Sequence, residues 1–529
     1  MDTATAHQRR WWTLGVLCVS LLVIGLDNTI LNVALPTLVE DLHATASQQQ
    51  WIVDAYTLVF ASLLLTAGML GDKFGRRGAL TAGLAVFGAG SLVAAFSGSA
   101  SALIGARAFM GIGGALIMPA TLSILTNVFT DPGERARAIG IWAGVSGLGI
   151  AIGPTTGGWL LEHFWWGSVF LINIPVVLFG LVAGRFLIPN SRDPHSPRLD
   201  PLGTVMSATG LFALLYAIIE GPSRGWTDTT VVGGFVIGLT VLIAFVAWEL
   251  RSDHPILDVR LFANPRFSGA SLAITLVFFA LFGSIFFLTQ YLQFVLGYGT
   301  LTAGLAISPV ALALMIAAPT APVLTKRFGY KAMVATGLTI VAGGLALLST
   351  ATVDSGYGLI LAVIVTMGVG MGLAMTPATD SIMGSLPREK AGVGSAVNDT
   401  TREVGGALGV AILGSLLAAG YHSSMDSSAA LHQLPAQAAS VAHDSLGGAV
   451  QVASRVGTAG QSLVADAAHA FVSAMSSTVL VAAAVALVGA LVALVWLPSR
   501  AAAPAVEVER EVQEVESEPV LDAALVAAD

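Results

Sequence analysis

Residues 68–80 read GMLGDKFGRRGAL, a sharp turn between two apolar runs at 51–70 and 79–97. Gly75 permits the backbone angles of a tight turn. Asp72 is placed to cap the helix that follows and to favour its positive end. Lys73, Arg76 and Arg77 make the turn basic. The arrangement returns where KRFGYK surrounds Gly329. Two further pairs repeat at nearly the same offset: ERARAIG, ending at Gly140, with REKAGVG, ending at Gly394, and MPATLSI at 118–124 with TPATDSI at 376–382. Three echoes at one offset predict a chain built from two related halves.

Working outward from the turn, apolar runs long enough to span a bilayer recur along the chain. A spanning helix needs about 20 mainly apolar residues. Such runs lie near 13–35, 51–70, 79–97, 101–127, 138–160, 168–188, 202–220, 230–250, 269–291, 302–324, 332–350, 357–378, 392–419 and 468–497. They are long and lack alternation, which predicts helices and not barrel strands. Composition agrees: 55% of the residues are hydrophobic and 11% charged, whereas soluble proteins carry roughly 25% charged residues. The mean hydropathy is +0.81. The fold class is an all-α polytopic membrane protein.

Charge distribution gives a topology. With the N-terminus in the cytoplasm, only Arg224 and Arg455 of the 24 Lys and Arg fall outside, and only Arg107 and Arg402 fall within helices. Basic residues that flank spans are retained inside. A missed or invented helix would scramble this segregation, so fourteen helices with both termini cytoplasmic are expected. Arg9 and Arg10 precede the first run, which continues past Asp27 to Pro36 without a cleavage site and so reads as a span.

The predicted organisation is a cytoplasmic N-terminus (1–12), six helices (13–188), an inserted pair (202–250) and six more (269–497), a 6+2+6 plan. Repeated six-helix halves around a midplane site are a transporter arrangement. The segment 421–466 is expected outside as a hairpin or a pair of short amphipathic helices. Residues 498–529 form an acidic tail inside, part of the net charge of −8. Cys18 is the one cysteine, so no intramolecular disulfide or multi-cysteine metal site is expected. No cofactor, metal cluster or nucleic-acid partner is indicated.

Several motifs carry a resemblance. The stretch 68–80, with Gly68, Asp72, Gly75, Arg76 and Arg77, resembles the signature that major facilitator transporters place between helices 2 and 3. The resemblance implies that Asp72 forms a latch that breaks and remakes as the halves rock. LIGARAFMGIGGA at 103–115 resembles the second facilitator signature and implies a proton-transfer role for Arg107. A buried Arg costs about 2.5–3.5 kcal/mol on insertion scales, so it also requires a polar partner. GIAIGPTTGG at 149–158, with Gly149, Gly153, Pro154, Gly157 and Gly158, resembles the antiporter signature. Small residues allow close helix contact, and a proline bends a helix. LDNTILNVALP at 26–36, WIVDAY at 51–56 and LDVRLF at 257–262 make the chain similar to fourteen-helix drug/proton antiporters, the quaternary-ammonium and multidrug exporters of the QacA type. Some relatives carry an acid in helix 10. Here 310–319 read VALALMIAAP, so the resemblance does not extend to doubly charged cations. Lys326 stands where Asp72 stands in the first turn, which predicts a one-sided latch.

Acids within spans are candidates for function, because hydrocarbon does not tolerate them. Asp27, well inside helix 1, is the first choice for binding a proton or a cation. Asp54 lies nearer the outer end of helix 2. Asp399 and Glu403 share a face of helix 13, with Arg402 beside them. Asp380 reads equally as a structural ion-pair partner, and Glu220 as a solvated outer residue. Trp142, Phe286, Phe287, Tyr291, Met118, Met371 and Met375 are candidates for an adaptable pocket. The expected activity is exchange of protons for small hydrophobic or cationic compounds across a bacterial plasma membrane. A dedicated exporter of one endogenous metabolite is the alternative. An ATP-driven pump is disfavoured by the lack of a G-x-x-x-x-G-K-S/T phosphate loop. An enzyme has no nucleophile constellation to support it. A non-transporting sensor would lose the coupling residues, and these stand.

Overall fold

The computed structural model describes residues 8–42, 44, 46–192, 200–252, 255–456 and 459–499. The expected acidic tail lies almost wholly outside them. The first long helices are α1 (Arg10–Leu42), α2 (Ala46–Phe74), α3 (Arg76–Ala95), α4 (Ala100–Val128), α5 (Pro132–His163) and α6 (Ser168–Leu187). Next come α7 (Pro201–Arg224) and α8 (Thr229–Glu249), packed against each other. Then follow α9 (Pro265–Gln290), which runs on through a π-helical turn at Tyr291–Val295, and α10 (Leu301–Phe328). The last are α11 (Tyr330–Leu348), α12 (Tyr357–Gly384), α13 (Ala391–Met425) and α14 (Ala459–Trp496). Among the described residues, 13 helices are long and apolar enough to cross a membrane. The remaining long helix, α5, has 32 residues and packs between α1 and α10. Several helices run past the apolar windows, because polar turns at either end continue the backbone hydrogen bonding without adding hydropathy.

Local chemistry explains where helices begin. Asp131, Asp200 and Asn264 cap α5, α7 and α9, and each helix has a proline in its first turn, where a missing N–H costs nothing. Asp228 caps α8, and the Thr230 N–H holds its carboxyl below the usual range. Large apolar side chains on α6, α8, α10 and α14 point outward, among them Leu178, Val182, Val236, Ile243, Ile316 and Val495. In water these would be a liability; in a bilayer they face hydrocarbon.

The N-terminal and C-terminal helices meet chiefly where α2 and α4 pack on α13 and where α5 packs on α10 and α12. The two echoed turns lie at one end of the bundle, called here the basic end. Gly75 (φ 110°) and Gly329 (φ 86°) are both left-handed, which is the physical content of that echo. Between α13 and α14 stand three short helices, Ala429–His432, Ala436–Asp444 and Leu446–Val456.

Candidate functional site

Asp27 and Arg107 meet in the interior. The Arg107 guanidinium donates to the Asp27 carboxylate, and both side chains are about 1% exposed. Arg107 also donates from Nε to the Ile52 carbonyl at 3.1 Å, and its charge lies 4.6 Å from the centre of the Tyr56 ring. Asn173 of α6 donates to Asp27 at 3.1 Å and to Ser91 of α3 at 3.2 Å. The pair is thus held by α1, α2, α3, α4 and α6. Asn173, Ser91 and Tyr56 were missed by the sequence reading. A lone Asn amid the apolar run LINIP was the signal that could have found the first. The Tyr56 hydroxyl and Asn173 Oδ1 are buried without hydrogen-bond partners among the described residues. Such groups are costly to leave unpaired.

A second polar cluster lies across the two halves. Arg402 of α13 sits between two aromatic faces, 5.0 Å from the Trp142 ring of α5 and 5.3 Å from the Phe278 ring of α9. Trp142 donates to Thr121 of α4 at 3.1 Å. Arg402 donates to Thr379 of α12 at 3.4 Å, and Thr379 donates to Asn398 at 3.1 Å. Asp399 is fully buried and accepts from Asn398 at 3.0 Å. Arg402 forms no ion pair with Asp399 among the described residues; its guanidinium lies between the two rings and stays within electrostatic range of Asp399 and Glu403. Glu403 lies one turn past Asp399 and within electrostatic range of Tyr56, which brings it towards the Asp27 network.

Asp54 of α2 is half-buried beside Gln50 and within electrostatic range of Glu220 of α7. Glu220 is not the solvated outer residue that its position suggested. It is 5% exposed and paired with Arg224, because α7 packs on α2 and α13 and covers it.

The basic end is closed. Asp72 does not cap α3, whose first turn has Gly75 as its cap and no side-chain bond there. It turns instead to the start of α13 and accepts from the Gly392 and Val393 N–H groups at 3.0 and 3.1 Å. Gly68 and Gly392 pack closely enough to bring that positive helix end within reach, and Arg76 completes the knot. It donates to Asp72 at 2.8 Å and to the Glu389 carbonyl at 2.8 Å. Arg77 reaches the Ile188 carbonyl at 3.4 Å. Asp380 of α12 accepts from Arg135 of α5 at 3.1 Å and from the Tyr330 hydroxyl, so a second polar bridge crosses the halves. Lys326 rests against the first turn of α5, near Gly133. The first bridge joins backbone N–H groups to Asp72 and Arg76 to the Glu389 carbonyl, and the second joins Arg135 to Asp380.

Gly149, Gly153 and Gly157 share one face of α5 and lie against Gly25, Thr29 and Ile30 of α1. Gly158 faces Leu301, and Pro154 lies within the same helix. A Cβ on Gly153 would stand 1.8 Å from Thr29 Oγ1, which itself donates to the Gly149 carbonyl at 3.0 Å. Gly153→Val is therefore expected to destabilise the protein by about 1–3 kcal/mol through overpacking. A lowered melting temperature in detergent checks this, and an unchanged one would show that α1 and α5 are further apart than described here.

The profile of the Major Facilitator Superfamily matches residues 17–410. This chain belongs to the Major Facilitator Superfamily. Among its relatives, the multidrug efflux pump LfrA of Mycolicibacterium smegmatis is 40% identical over 93% of this facilitator and 97% of the relative. The tetracenomycin C resistance and export protein of Streptomyces glaucescens is 34% identical over 92% of this chain and 91% of its own. The facilitator fold is also seen in the solved proton:xylose symporter XylE, with TM-score 0.60 and 13% identity over 93% of this chain and 96% of that one. This facilitator is a multi-pass membrane transporter of small molecules.

Proposed function

We propose that this facilitator is a proton-driven antiporter that exports small hydrophobic or cationic compounds by alternating access. Its fourteen helices would form a 6+2+6 array of the QacA type in the bacterial plasma membrane. Residues 13–188 and 269–497 are the two halves, 202–250 the inserted pair, and both termini are cytoplasmic. The basic end is then the cytoplasmic gate, and it is shut.

The observation that carries this reading is Arg402 held between Trp142 and Phe278 at the junction of the halves. Two aromatic faces that accept a guanidinium there can accept an organic cation, an interaction worth about 2 kcal/mol when desolvated. Asp27, Asp54, Asp399 and Glu403 supply carboxylates that bind either a proton or a cation. Antiport follows if protonation outside releases the substrate and deprotonation inside permits loading, because each ligand alters the other's affinity reciprocally. The efflux activity in the name of the LfrA relative supports the direction. Similarity to the tetracenomycin C exporter favours a second reading, export of one endogenous antibiotic.

The test uses liposomes that enclose a pH-sensitive dye, a proton gradient and ethidium. The wild type is expected to show ethidium-dependent proton flux, and Glu403→Gln to lose it. Flux surviving in that variant would remove Glu403 from the coupling path. No flux with any lipophilic cation would favour the narrow exporter.

A further inference from the structure

At the end of the bundle opposite the basic turns, α13 finishes with His422 and, one helical turn on, Asp426. Asp426 still has helical backbone angles (φ −56°, ψ −24°), so the two side chains share a face. The short helix Ala436–Asp444 brings His443 and Asp444 against them. The His422 and His443 rings stack with centroids 4.7 Å apart and planes 19° from parallel. His443 Nε2 is 3.0 Å from Asp426 Oδ1. Ligand atoms of His422, His443 and Asp444 all lie within 4.8 Å of one another. The backbone beneath them is fixed: the Tyr421 hydroxyl donates to the carbonyl of buried Ala442 at 2.9 Å. His432 Nε2 lies 3.0 Å from the Asp426 carbonyl. Both imidazoles are half-buried, while Asp426 and Asp444 are exposed, so the cluster is open to the medium.

Two imidazoles and the Asp444 carboxylate, gathered at the ends of two helices, are a donor set of the kind Zn2+ takes, and the Asp426 carboxylate lies against one of them, His443. That ion takes His nitrogen at about 2.0–2.1 Å and carboxylate oxygen at about 2.0–2.2 Å in a tetrahedron. Donors in such a shell stand about 3.4 Å apart, so the His422, His443 and Asp444 donors, now within 4.8 Å of one another, would have to draw in by about 1 Å. We propose that His422, His443 and Asp444, with Asp426 as the fourth donor, form a zinc site that ties the end of α13 to the outer segment. The sequence conceals it because the two halves of the site lie on separate helices. Stacked imidazoles can also stand without metal, bonded to Asp426 and to the Asp444 carbonyl as they are here. The two cases differ in whether the Asp444 carboxylate has a role; among the described residues it makes no hydrogen bond.

The zinc site does not depend on what the protein transports. The full chain, purified through a tag without histidine, is titrated with Co2+ while its visible absorption is followed. Zn2+ is then added as competitor, and the melting temperature is read with and without Zn2+. One equivalent of Co2+ giving a tetrahedral band that Zn2+ displaces is expected, with a rise in melting temperature on Zn2+ binding. His422→Ala and His443→Gln should abolish the band, Asp444→Asn should weaken binding, and His432→Ala should leave it intact. His443→Gln keeps the side chain's hydrogen bonding, so a folded variant is available. No band in the wild type, or an equal band in His443→Gln, overturns the proposal.

Discussion

Asp27→Ala is expected to destabilise the folded protein by about 3–5 kcal/mol, because it leaves the Arg107 charge buried and unpaired. Arg107 is wholly enclosed by α1, α2, α4 and the Tyr56 ring, so water does not replace the lost carboxylate. Asn173 loses an acceptor at the same time. Removing both charges in Asp27→Ala/Arg107→Met is expected to recover most of the melting temperature, since replacing a buried pair with apolar groups is often neutral. Ethidium-driven proton flux should stay absent in the single and the double variant alike. That split would separate the pair's structural part from the coupling role proposed for it: stability returns with charge balance, and coupling does not. Transport regained in the double variant would reduce Asp27 to a structural partner. A single variant as stable as the wild type would show that Arg107 finds another anion.

Gly392→Val is the second large effect. A Cβ at residue 392 would stand 2.5 Å from the Gly68 carbonyl oxygen and 2.6 Å from Asp72 Oδ1. Backbone on one side and a hydrogen-bonded carboxylate on the other leave nothing flexible to move aside. The cost, about 1–3 kcal/mol for overpacking, falls only on the state in which the basic end is shut. A penalty confined to one state shifts the equilibrium by roughly 5–150-fold. The variant should therefore fold, insert and bind, yet turn over slowly. Spin labels at Phe74→Cys and Phe328→Cys, in a Cys18→Ser background, should report a longer distance across the basic end than in the wild-type background. An unchanged distance with normal transport would mean that α2 and α13 do not need this contact.

Much of the bundle was legible because hydrophobic runs and basic turns are properties of neighbouring residues. Fourteen apolar runs could be counted, and each of the fourteen long helices among the described residues falls on one, 13 of them apolar enough to span a membrane. Gly75 and Gly329 announced two turns of the same left-handed kind. What stayed hidden depended on pairs distant in the chain. Asp72 reads naturally as a cap for the helix it precedes, yet its partners are the N–H groups of Gly392 and Val393. Glu220 sits at the end of an apolar run and looks solvated; only the packing of α7 on α2 and α13 covers it. Arg402 was grouped with Asp399 and Glu403 by spacing along one helix. The rings that flank its guanidinium come from α5 and α9, and no spacing rule reaches them. Arg135 and Asp380 were visible as a basic and an acidic residue, but not as each other's partner.

The glycines of α5 have a mechanical meaning. One face of the helix meets α1 at Gly149, Gly153 and Gly157. Another meets α10 at Gly140, Gly144 and Gly147. A helix with so few protruding side chains on either face behaves as a bearing, not as a gear. Its neighbours can slide and tilt along it without lifting side chains out of sockets and reseating them. In the proposed alternating-access cycle, resistance to rocking would then fall largely on the rim, in the Asp72–Gly392 and Arg135–Asp380 bridges. If the proposed cycle rocks the halves, turnover would be timed largely by when these polar contacts let go.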